Sequence, residues 1–83
     1  MKLLKLPQVL EQTAKARSTH YNDIKAGLMT PTVSLGVNSV AWPEHEISAI
    51  NAARIAGKSD DEIRQLVARL VADRKTIDGR VAA

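Results

Sequence analysis

Between Arg17 and Lys25 the chain reads Arg-Ser-Thr-His-Tyr-Asn-Asp-Ile-Lys, its densest run of side chains able to do chemistry. Ser18 and His20 have the types of a nucleophile and its base. Two positions apart on a helix, however, they point away from each other and cannot form that pair. The chain has no cysteine, and His20 and His45 lie far apart, so a structural zinc site cannot be assembled from good ligands. Neither an enzyme nor a cofactor or metal is expected. What remains is hydrogen bonding and charge: Arg17 and Lys25, with Lys15 just upstream, flank Ser18, Thr19, His20 and Asn22. Cations of this kind fix a register on phosphates, while short polar side chains on a helix reach base edges in a major groove. A plain solvated helix face would look similar, and Asp23 favours that reading because phosphates repel a carboxylate.

Such a helix needs elements to hold it up. Helical spacing puts Tyr21, Ile24 and Leu28 on the inner face, with Thr19, Asn22, Asp23 and Ala26 opposite, and Gly27 ends the helix as a left-handed cap. Before it, Leu6, Val9, Leu10 and Thr13 repeat at helical spacing, and Pro7 suits a first turn. Ala14-Lys15-Ala16 is the expected turn between the two helices. It lacks both the glycine that eases a positive φ and the side chain that caps the next helix, an omission costing about 1 kcal/mol. Lys2 to Lys5 reads equally as a loose lead-in or as a short strand.

After Thr30 the apolar period changes from helical to alternating. Val33 and Leu35 alternate before a turn at Gly36 to Ser39, and Val40 and Trp42 after it, which predicts a two-stranded hairpin with those four residues inward. Asn38 and Ser39 at its tip are candidate contacts, although the tip carries no Lys or Arg. Pro43, Glu44 and Glu46 open a third helix whose apolar face is Ile47, Ile50 and Ile55. His45, between two glutamates, reads as a solvated first turn. Gly57-Lys58 breaks that helix, and Ser59-Asp-Asp-Glu62 is a capping box for a fourth. Ile63, Leu66, Val67, Leu70 and Val71 give the fourth helix a clear apolar stripe, either completing the core or meeting a second copy; the second role is the preferred expectation.

Length and charge fit this plan. Eighty-three residues make one domain with a small core. The N-terminus lacks the continuous apolar centre of a signal peptide, and no stretch is long enough to span a bilayer, so a cytoplasmic protein is expected. The net charge is +3. All of that excess falls in residues 1–42, where Lys2, Lys5, Lys15, Arg17 and Lys25 face only Glu11 and Asp23; the remainder is balanced.

In these residues the chain resembles the AlpA family of prophage and genomic-island regulators, itself similar to phage excisionases and to the DNA-binding domain of MerR-type activators. The likeness runs from about Leu6 to Ala56. It rests on Leu6-Pro-x-Val9, Arg17-Ser-Thr-x-Tyr21 with Ile24 and Gly27, Val33-x-Leu35-Gly36, Val40-Ala-Trp42 and Glu46-Ile47. The resemblance implies a winged helix-turn-helix, with the second helix in a major groove and the hairpin as a wing on neighbouring backbone. It implies first-turn contacts by Arg17, Ser18 and Thr19, a structural Tyr21, and promoter regulation or DNA bending that lets an integrase excise a mobile element.

The expected fold is therefore mainly α with a small β-hairpin: a winged helix-turn-helix over residues 1–57, a C-terminal amphipathic helix over 58–77 that packs on it or dimerises, and a frayed tail over 78–83. The expected partner is double-stranded DNA, with a homodimer through the fourth helix and an integrase as further partners, and no membrane. The alternative is a helical interaction module or anti-regulator that binds another protein through the Ile63 to Val71 stripe.

Overall fold

The computed structural model describes residues 1–77. Along the chain these form β1 (Leu3–Leu4), α1 (Leu6–Thr13), α2 (Arg17–Lys25), β2 (Val33–Gly36), β3 (Ser39–Pro43), α3 (Glu44–Ile55) and α4 (Asp60–Asp73), followed by a 3-10 turn at Arg74–Thr76. The architecture is a winged helix-turn-helix with a C-terminal amphipathic helix. The expected tail at 78–83 lies outside the described residues.

Helix α1 carries Pro7 in its first turn, and the Gln8 side-chain oxygen accepts the Lys5 backbone N–H at 2.9 Å. Its end satisfies two orphan carbonyls in one motif: Lys15 N–H donates to the Leu10 carbonyl at 3.2 Å and Ala14 N–H to the Glu11 carbonyl at 3.3 Å. That motif needs a left-handed residue, and Ala14 supplies it at φ 56°. Helix α2 ends in the same way, with Leu28 N–H on the Asp23 carbonyl at 2.8 Å and Gly27 at φ 78°.

The sheet has three antiparallel strands in the order β1-β3-β2. Of the two readings open for the N-terminus, the strand is the one realised: Leu3 pairs with Pro43 and Leu4 with Trp42. In the hairpin, Ser34 pairs with Val40 and Gly36 with Ser39, which leaves Leu35 as an extra residue in a bulge. The bulge breaks the alternation expected there. Leu35 is 47% and Val40 37% exposed, Val33 is half-buried, and Ala41 joins Trp42 inside.

Trp42 sits in the middle of the core, fully buried, its indole N–H donating to the Thr30 carbonyl at 3.0 Å. Around it pack Leu4, Val9, Leu28, Met29, Ile47 and Ile50, and from α4 come Ile63, Val67 and Leu70. Pro43 closes β3 and precedes α3 instead of opening it. Ile55 was expected on the inner face of α3 and is exposed; five positions after Ile50 it lies about 140° around the helix.

Helix α4 starts from the expected capping box: Ser59 Oγ accepts the Glu62 N–H and Glu62 Oε1 accepts the Ser59 N–H. These bonds to Ser59 hold the Glu62 carboxyl below its usual range. Its stripe faces this chain's own core, with Ile63, Val67 and Leu70 buried and Leu66 and Val71 partly so. Of the two roles open for the stripe, these residues complete the core, filling the gap left by the first three helices and the sheet; the preferred one, contact with a second copy, is a matter for the oligomeric state in solution. Just past α4, Arg74 forms a two-pronged ion pair with the fully buried Glu46 carboxylate, at 2.6 and 2.8 Å.

Candidate nucleic-acid interface

Helix α2 is the element on which the sequence expectations converge, and its orientation follows from what it buries. The residue beneath it is His20, fully buried, with its ring edge-to-face on Trp42 at a centroid distance of 4.8 Å. Ile24, one turn on, is half-buried beside it. Tyr21, expected to anchor the helix, is instead 37% exposed. The helix is therefore turned by about one residue from the expected facing. Either neighbour of that pair could flank Ile24, and stacking on Trp42 selects the imidazole.

This rotation decides which candidates share a surface. Arg17, Ser18, Thr19, Asn22 and Lys25 are all exposed. At about 100° per residue, Ser18, Asn22 and Lys25 fall within one narrow stripe, with Tyr21 along its edge. Sequence reasoning missed Tyr21 as a surface group because an aromatic at helical spacing normally reads as core. His20, expected to approach bases, is withdrawn from that surface by its burial. Lys15, expected on phosphates, is engaged inside the chain: its Nζ bonds Asp23 Oδ2, both side chains being about four-fifths buried. The same ion pair answers the objection that Asp23 raised, since its carboxylate is neutralised and turned from the stripe. Among the described residues Arg17 and Lys25 form no ion pair.

The interior position of His20 shapes its chemistry. Burial, and secondarily the positive Lys15 ammonium, push its pKa below the ordinary histidine value, against a smaller upward pull from Asp23. The imidazole is held neutral beneath the helix.

The tip of the wing spans Gly36 to Ser39, where Asn38 takes φ 58°. Asn38 is exposed. Ser39 is half-buried, and its hydroxyl accepts a hydrogen bond from Lys5 Nζ at 2.7 Å. A lysine from the strand-to-helix junction thus supplies the cation that the hairpin's own sequence lacks; only the pairing of β1 with β3 brings it there. From the other side, Arg64 Nε on α4 donates to the Ala26 carbonyl at the end of α2, at 2.9 Å.

Two helices joined by a tight turn and followed by an antiparallel hairpin define a winged helix-turn-helix of the kind found in small regulatory proteins. The family model described as prophage CP4-57 regulatory protein (AlpA) matches residues 2–54. The chain belongs to this AlpA family of regulatory proteins. It is also similar to an uncharacterized protein, ORF88, of Enterobacteria phage P4: 42% identical over 57 residues, which cover 69% of this chain and 65% of that protein. The likeness therefore spans a little under two thirds of the phage protein's length. No solved structure matches the chain. Among the described residues no helix is long and apolar enough to cross a membrane.

Proposed function

We propose that the chain is a cytoplasmic, sequence-specific transcriptional regulator that binds double-stranded DNA through α2 and the wing. The observation carrying this reading is the outward stripe of α2: cations and short polar groups stand exposed while His20 and Ile24 fix the helix from beneath. Arg17 and Lys25 hold phosphates, and Ser18, Thr19 and Asn22 meet base edges, with the Tyr21 hydroxyl reaching the same groove. The uncapped N-terminus of α2 leaves backbone N–H groups open to a phosphate. Lys5 and Asn38 give the wing a polar contact of its own. Membership of a regulatory family supports the role. A binding site inside an attachment region would extend it to excision, with an integrase as partner. The rival role of an interaction module acting through α4 loses its motivation, since that stripe packs inward.

The test is a gel-shift titration with duplexes enriched on the protein from a random pool. With two to four phosphate contacts, the logarithm of affinity should fall against that of salt with a slope of about −2 to −4. Arg17→Ala should lower that slope by about one and weaken all sequences alike, whereas Asn22→Ala should cost about 1 to 3 kcal/mol on the enriched site alone. Binding insensitive to salt, or an Arg17→Ala variant as tight as the parent, would remove the proposal.

A further inference from the structure

Two arginines beyond the family-matched residues make contacts that core packing alone does not require. Arg64 lies across the end of α2: its Nε bonds the Ala26 carbonyl, and its stem passes 3.6 Å from where a Cβ on Gly27 would stand. Arg74 bonds both oxygens of Glu46 on α3 through Nε and Nη2, and Nη2 also donates to the Pro31 carbonyl at 2.8 Å, in the segment joining α2 to β2. Between them they grip both ends of the stretch Ala26 to Pro31, which connects the groove-facing helix to the wing. A guanidinium suits this task because its planar fork offers several donors in fixed directions. Neither contact is a long-range charge effect; both end on backbone carbonyls.

We propose that Arg64 and Arg74 are positioning residues that set the angle between α2 and the wing, making α4 and the turn after it part of the DNA-reading unit. The proposal rests on the DNA-binding reading above. Misplacing α2 by a fraction of an ångström degrades contacts to base edges, which are directional, more than contacts to phosphates, which are not.

The experiment compares Arg64→Met and Arg64→Lys with the parent on two probes: the enriched duplex and an unselected duplex of equal length. For Arg74 the variant is Glu46→Gln/Arg74→Met, which leaves no buried charge unpaired and so keeps the fold testable. Arg64→Met and the double variant should lose about tenfold in preference for the enriched over the unselected duplex. Affinity for the unselected duplex and the salt slope should stay near the parent's. Arg64→Lys, still able to donate to the Ala26 carbonyl, should recover most of the preference. Amide exchange should quicken at Ala26 to Met29 in Arg64→Met, with α1 unaffected. Preference unchanged in a folded variant would overturn the proposal, and so would an equal loss on both probes with a shallower salt slope, which marks a direct phosphate contact. Unchanged exchange would overturn the anchoring itself. If the parent enriches no duplex, the DNA-binding reading falls and the positioning role with it, whatever the exchange data show.

Discussion

An imidazole buried with neither ring nitrogen hydrogen-bonded among the described residues is an expensive choice for a small core. His20 occupies that position, edge-on to Trp42 and beneath the helix that faces outward. Its folded pKa is depressed, so between that value and the unfolded one near 6.5 the unfolded chain binds more protons. Stability linked to His20 is therefore complete above pH 6.5 and is lost progressively as pH falls below it. Thermal melts across pH 5 to 8 should show this drop. His20→Phe, which keeps the edge-on ring and removes both orphaned nitrogens, should flatten it and exceed the parent in stability at pH 5; equal slopes for the two proteins would show that His20 is not the group responsible. At this scale the sequence was partly misleading. Residue types told where chemistry was available, but not that histidine would be the anchor and tyrosine the surface group.

At the scale of elements, the turn between α1 and α2 is realised with the residues least suited to it. Ala14 holds φ 56° and ψ 36°, a left-handed conformation that costs an L-residue about 1 to 2 kcal/mol. Ala14→Gly relieves that strain against an entropic penalty of about 0.5 to 1 kcal/mol. The expected result in a denaturant titration is a net gain of about 0.5 to 1 kcal/mol, with α2 unmoved. A loss of stability would mean that the methyl group contributes packing that outweighs its strain. The turn was legible despite its poor chemistry, because the helical periods on either side of it left no other place for a break. The wing was only half legible: its strands and tip follow from period-two alternation, whereas the bulge at Leu35 shifts register in a way no local pattern announces.

Across the whole molecule, α4 is what makes so short a chain a stable fold. Ile63, Val67 and Leu70 close the core around Trp42, and the Glu46–Arg74 pair ties the turn after α4 to α3. Removing one member of such a pair costs about 3 to 5 kcal/mol because the other charge is left buried alone. Truncating a fully buried residue, as in Ile63→Ala, should cost about 2 to 5 kcal/mol. With the stripe already covered, the melting temperature should not depend on protein concentration, and sedimentation should give a monomer in the absence of DNA. A melting temperature that rises with concentration would return α4 to the role of a dimer contact.

The four helices, the hairpin, the capping box at Ser59 and the break at Gly27 were all determined locally, by apolar period and cap chemistry acting over a few residues. The outward cations of α2 were read from the same signal. The facing of α2, the pairing of β1 with β3, Lys5 beside Ser39, Lys15 on Asp23 and the reach of Arg64 and Arg74 back to α2, α3 and the segment that follows α2 were decided only in three dimensions. Each joins residues of different elements or of a turn and a helix, or chooses between neighbours of similar burial tendency. Such choices depend on which partner occupies the adjoining space, and here that partner is Trp42 with α4 closing over it.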